Sequence, residues 1–92
     1  MRITCDTAKD EANSRKHGVS FERAAEFEWS TAGIIEDARR EYSEQRFIAV
    51  GYLNNRLHVL CFTPIAGGIR VISFRKANAR EASRYGRPLT ID

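Results

Sequence analysis

The chain has 92 residues, a formal net charge of +3 and 42% hydrophobic residues, which suits one domain over residues 1–92 with a modest core and no need of disulfides. No apolar run approaches the roughly 20 residues that span a bilayer, and residues 1–15 lack the apolar region of a secretory signal, so a soluble, cytoplasmic protein with no membrane role is expected. Cys5 and Cys61 stand in apolar stretches without Cys-x-x-Cys spacing or clustered histidines; this predicts a buried free thiol at each, with neither bridge nor metal site.

Residues 2–5 read as a first strand. Asp6 or Thr7 then caps a helix over Ala8 to His17. Thr7 with Asp10 makes a capping-box pattern, and Gly18 offers a left-handed stop. Ser20 caps a second helix, whose Phe21, Ala24 and Ala25 follow the three-four spacing of a buried face, and which ends near Glu28. Ser30 to Gly33 break the pattern, Ile34-Ile35 is too short to assign, and Glu36 to Ser43 is a charged connection. The period then changes from helical to alternating. Phe47 to Leu53 is a strand, Asn54-Asn55 a two-residue turn that tolerates positive φ, and Leu57 to Phe62 the returning strand. A second turn over Pro64 to Gly68 leads into a third strand, Ile69 to Phe74. Asn78 with Glu81 forms a capping box for a last helix, Ala79 to about Tyr85, closed by Gly86 and Pro88. The expected architecture is α+β: an N-terminal strand and two helices packed on one face of an antiparallel sheet of three to four strands, then a C-terminal helix.

The charge is unevenly spread. Residues 1–46 carry 8 Lys or Arg against 10 Asp or Glu, whereas residues 47–92 carry 7 against 2. The basic residues of the second half are Arg56, Arg70, Arg75, Lys76, Arg80, Arg84 and Arg87, a composition suited to a polyanion because guanidinium makes planar, paired contacts to phosphate. An acidic protein partner, or plain solvation of a strand edge, fits the same charges. Strict alternation along the third strand puts Arg70, Ile72 and Phe74 on one face and Val71, Ser73 and Arg75 on the other, so an arginine faces each side. Arg75 and Lys76 end that strand beside the start of the last helix, where backbone N–H groups favour an anion. Glu44 and Arg46 alternate onto one face and can pair with each other or meet a substrate together. His17 finishes a helix and His58 lies half-buried in a strand; neither belongs to a triad.

Four blocks carry a family resemblance. They are Asp6-x-x-Lys9-x-x-x-Asn13-x-x-Lys16-His17-Gly18-Val19-Ser20-Phe21, then Asp37-x-Arg39-x-x-Tyr42-Ser43-Glu44-x-Arg46-Phe47, then Arg70 to Ala77, then Glu81 and Tyr85. Together, in this order, they resemble the BrnT toxins of bacterial type II toxin-antitoxin pairs. The resemblance implies a RelE-like fold and a metal-independent endoribonuclease that inhibits translation and growth. It also implies a BrnA-type antitoxin that neutralises the toxin and, as a complex, binds operator DNA. No cofactor is implied. Cys5, Thr7, Ser43 and Phe74 depart from the family's common residues at their positions and bear on catalytic strength.

On this resemblance Arg46, Arg70 and Arg75 are the expected phosphate and transition-state contacts. Glu44 is a base or an orienting partner of Arg46, and Tyr85 a proton donor, a stacking residue or a core residue. Lys16, Lys76 and Arg80 are the expected further RNA contacts. Two rival readings stand beside it. One is a module that keeps the fold and binds its antitoxin or nucleic acid without cleaving. The other is a stand-alone DNA-binding regulator, which the missing helix-turn-helix spacing disfavours.

Overall fold

A computed structural model describes residues 1–91. Its strands are β1 (Arg2–Cys5), β2 (Gly33–Glu36), β3 (Phe47–Leu53), β4 (Arg56–Ile65) and β5 (Gly68–Lys76), and its α-helices are α1 (Thr7–His17) and α2 (Ala79–Tyr85). The sheet has five strands in the order β1-β5-β4-β3-β2, not three to four. It is mixed rather than antiparallel, because β1 pairs parallel with β5 while the other neighbours are antiparallel. The parallel pairing brings the chain so close that a Cβ on Gly68 would lie 1.8 Å from the Arg2 carbonyl oxygen. Only glycine fits there.

Helix α1 is capped by Asp6, whose carboxylate accepts from the Lys9 N–H at 3.0 Å. The Thr7-Asp10 box does not form, since Asp10 instead accepts from the Phe21 N–H at 2.8 Å and joins α1 to the next segment. Gly18 closes the helix with φ of 73°. The expected second α-helix is two 3-10 turns, Phe21–Glu26 and Trp29–Thr31. Phe21, Ala24 and Phe27 are buried at intervals of three, and the three-residue period of a 3-10 turn stacks such a row on one side where an α-helix would spread it.

The unassigned Ile34-Ile35 lies in the edge strand β2. At Asn54 and Asn55 both φ values are positive, 48° and 63°, so that hairpin turns as expected. The second hairpin turns later than expected, at Ala66 and Gly67, because β4 continues through Pro64. Beyond Phe62, β4 has no partner on its β3 side, so a residue without an N–H is tolerated there. The capping box of Asn78 and Glu81 forms, with 2.8 and 3.0 Å bonds in its two directions.

Two cores flank the sheet. One holds Phe21, Ala24, Phe27, Leu60, Val71 and Phe74 beneath α1 and the 3-10 turns. The other holds Val50, Tyr52, Leu57, Val59, Ala77 and Ala82 beneath α2. The helices therefore cover both faces rather than one. The tail behind α2 is pinned to the second face, with the Tyr52 hydroxyl donating to the Pro88 carbonyl at 2.7 Å and Arg87 donating to the Val50 carbonyl at 2.9 Å.

Asn13 ties the first layer to the sheet. Its amide nitrogen donates to the Val19 and Phe74 carbonyls at 3.0 and 2.7 Å, and its oxygen accepts from the Phe74 N–H at 3.3 Å. Removing it strands buried backbone groups, each costing about 1–3 kcal/mol. We expect Asn13→Ala to lower unfolding stability by about 3 kcal/mol, against about 1 kcal/mol for loss of the exposed cap in Asp6→Ala. Urea denaturation with an unchanged m-value measures both.

Candidate functional site

The sheet face beneath α2 carries Arg70 and Arg75. The ladder between β4 and β5 pairs Cys61 with Ser73 but Phe62 with Val71, leaving Ile72 without a partner. This bulge reverses the alternation. Val71 joins Phe74 in the α1 core, while Arg70, Ser73 and Arg75 share the other face. Strict alternation had set Arg70 with Phe74 and an arginine on each side; the extra residue brings both arginines together.

Arg70 donates to the Glu44 carboxylate at 2.9 Å, and Arg46 lies 3.5 Å from the same oxygen. Two guanidiniums thus share one carboxylate, and one positive charge is left unbalanced. Burial pushes the Glu44 carboxyl up, but the Arg70 charge, hydrogen bonds from Ser43 and Arg70, and the Arg46 charge outweigh it and hold the carboxyl below its usual range. Arg46 also stacks on Tyr42, 4.1 Å from the ring centroid. Its Nε is buried without a hydrogen-bond partner.

The Tyr42 hydroxyl donates to Asp37 at 3.0 Å, and Arg39 clasps the same carboxylate with bonds of 2.7 and 2.8 Å. Asp37 has only 1% of its side chain exposed, whereas Arg39 has 74%. The hydrogen bond from Arg39 leads the contributions that hold the Asp37 carboxyl far below the usual range, against the opposing effect of burial. The connection between β2 and β3 is therefore built on a buried anion that displays a solvated cation. In the sequence Asp37 and Arg39 stand out only as members of a family block, and the i,i+2 spacing of opposite charges beside Tyr42 is the local signal of their pairing.

Next to this loop, a groove of about 530 Å³ is lined by Arg39, Cys61, Ser73, Arg75, Arg84 and Tyr85, among others. Arg75 is held by a two-bond pair to Glu81 at 2.8 and 2.7 Å. That pair fixes α2 to β5 and lowers the Glu81 carboxyl to about 2. Tyr85 is partly buried against the second core and lines the groove. Arg84 was not among the expected site residues, because its place on the groove wall depends on how α2 docks.

The other expected contacts fall elsewhere. Lys16 is exposed on the last turn of α1, over the opposite face, and Arg80 is exposed on α2 outside the groove lining. Lys76 lines a separate cleft with His58 on the α1 side. His58 is buried rather than half-buried, 3% exposed, and packs edge-on against Phe74. Both thiols are free as expected, but Cys5 is exposed and Cys61 only partly buried, since β1 is an edge strand and Cys61 faces the groove. Among the described residues, no three His, Cys, Asp or Glu side chains converge to hold a metal ion, and no helix is long and apolar enough to cross a membrane.

The Glu81 carboxyl sits lower in the fold than its ordinary 4.5. Its pairing therefore stabilises fully above pH of about 4.5, and that contribution disappears as pH falls toward about 2. Comparing wild type with Glu81→Gln by thermal melts across this range should show a gap that is widest near neutrality and closes in acid.

The model of a protein family described as "Ribonuclease toxin, BrnT, of type II toxin-antitoxin system" matches residues 6–81. No curated protein matches the chain.

Proposed function

Because the chain belongs to the BrnT family of ribonuclease toxins from type II toxin-antitoxin systems, we propose that it cleaves RNA on the α2 face of its sheet, between the 37–46 loop and the groove. The observation that carries this reading is the convergence of Arg46 and Arg70 on one carboxylate, on the same face as Arg75, beside the groove that Arg39 also lines. A phosphodiester laid there meets an unbalanced positive charge and guanidinium donors suited to its non-bridging oxygens.

The reaction is metal-independent transesterification. The substrate 2′-oxygen attacks the adjacent phosphorus in line, the bond from phosphorus to the 5′-oxygen breaks, and the 2′ proton is lost as the leaving oxygen gains one. Arg46 and Arg70 stabilise the charge that builds on the phosphorane, and Arg75 extends the cationic wall into the groove. Glu44 acts as a positioning residue, since a carboxylate shared by two guanidiniums and held below its usual range is a poor proton acceptor. Tyr85, on the groove wall, is the proton donor, and Arg39 is the most solvated of the phosphate contacts. The fold is RelE-like and forms a single toxin domain over residues 1–92. The family's antitoxin partner is here a BrnA-type protein, and the complex of the two reads operator DNA in the cytoplasm.

Induced expression tests the reading. Wild type should arrest growth and degrade RNA, whereas Arg70→Ala with Arg75→Ala should do neither. Arg70→Ala alone leaves the Arg75-Glu81 pair intact and should reduce cleavage by purified protein by about 100-fold at unchanged melting temperature. Equal growth of wild type and double variant, with intact RNA, would overturn the enzyme in favour of a module that binds without cleaving.

A further inference from the structure

Lys76 follows Arg75 in β5 but points to the other face of the sheet, where it pairs in register with His58. There, at the end of the β3–β4 hairpin, lies a second cleft of about 320 Å³ whose polar lining is Arg23, Asn54, Arg56, His58 and Lys76. No carboxylate lines it. Arg23 has an ion pair to Glu26 at 3.3 Å, outside the lining, and Lys76 is exposed with no ion pair among the described residues. Arg56 donates one terminal nitrogen to the Ala77 carbonyl at 2.7 Å, and its buried Nε has no partner. Three cations with one nearby counter-charge therefore border a cleft with room for a tetrahedral anion.

We propose that this cleft binds a backbone phosphate of the RNA strand, as a contact separate from the groove. The two sites are linked through consecutive residues: Arg75 borders the groove and Lys76 the cleft, so a strand leaving the groove past the end of β5 meets the cleft next. His58 is an internal reporter of occupancy. Burial depresses its ring, a hydrogen bond to the Arg56 carbonyl opposes this, and the charges of Arg56, Lys76 and Arg23 add to the depression. A phosphate among those cations relieves part of it.

The proposal rests on the reading of the groove as an RNA site, and its test separates the two. A 2′-O-methyl oligoribonucleotide, which cannot be cleaved, is titrated into wild type, into Arg23→Gln with Lys76→Gln, and into Arg70→Gln, at several salt concentrations. Arg23 is partly exposed and Lys76 exposed, and melting temperatures check that each variant folds. We expect the paired variant to bind more weakly and to lose about 0.7 from the slope of log affinity against log salt, the value for one phosphate of a single strand. In wild type the oligonucleotide should shift the His58 ring resonances. Unchanged affinity and slope in the paired variant, with weakened binding in Arg70→Gln, overturns the cleft and leaves the groove standing. Weakening in the paired variant but not in Arg70→Gln overturns the groove. A His58 shift with inorganic phosphate but none with the oligonucleotide makes the cleft a simple anion site and overturns the proposal.

Discussion

A single unpaired residue, Ile72, sets which side chains meet in this protein. Because side chains alternate along a strand, one extra residue exchanges the two faces for everything beyond it. Without it Arg70 would enter the core with Phe74, where an unpaired guanidinium costs several kcal/mol. With it, apolar Ile69, Val71 and Phe74 all go to one side, and Arg70 and Arg75 go to the other. The segment around the bulge is held from outside as well. Strand β1 ends opposite Val71, so Phe74 turns its backbone groups toward an edge where no strand continues, and Asn13 takes that strand's place.

The site that results is a chain of shared charges. Arg70 and Arg46 meet at Glu44, Arg46 stacks on Tyr42, Tyr42 bonds Asp37, and Asp37 holds Arg39. Exposed ion pairs contribute little individually, but this chain is anchored at a buried carboxylate whose bonds restrict the loop geometry. The loop can then present cations in defined places without being part of a strand. On the groove side the Arg75-Glu81 pair has two roles at once, docking α2 and placing a guanidinium beside Tyr85.

Much of the fold was legible because it is written locally. The capping box of Asn78 and Glu81, the stop at Gly18 and the Asn54-Asn55 turn each depend on residues within a few positions of one another. Where the reading departed, two local patterns competed or a distant partner decided. Phe21 and Ala24 satisfy the spacing of an α-helix and of a 3-10 turn alike. Asp10 has the spacing of a capping-box partner for Thr7 but links α1 to Phe21 instead. Strand β2 is four residues long and exists through its pairing with β3.

By itself the sequence determined the class of the protein, the order of most elements, the basic second half and the four blocks that carry its family. Only the tertiary structure decided which cations share a face. It put Arg70 on the same face as Arg75 and Lys76 on the opposite one, left Lys16 and Arg80 outside the groove, and brought in Arg39 and Arg84. The physical reason is that a face is a property of register. A residue's neighbours in a sheet are set by the pairing of strands, and a one-residue bulge, invisible to any count along the chain, changes them all.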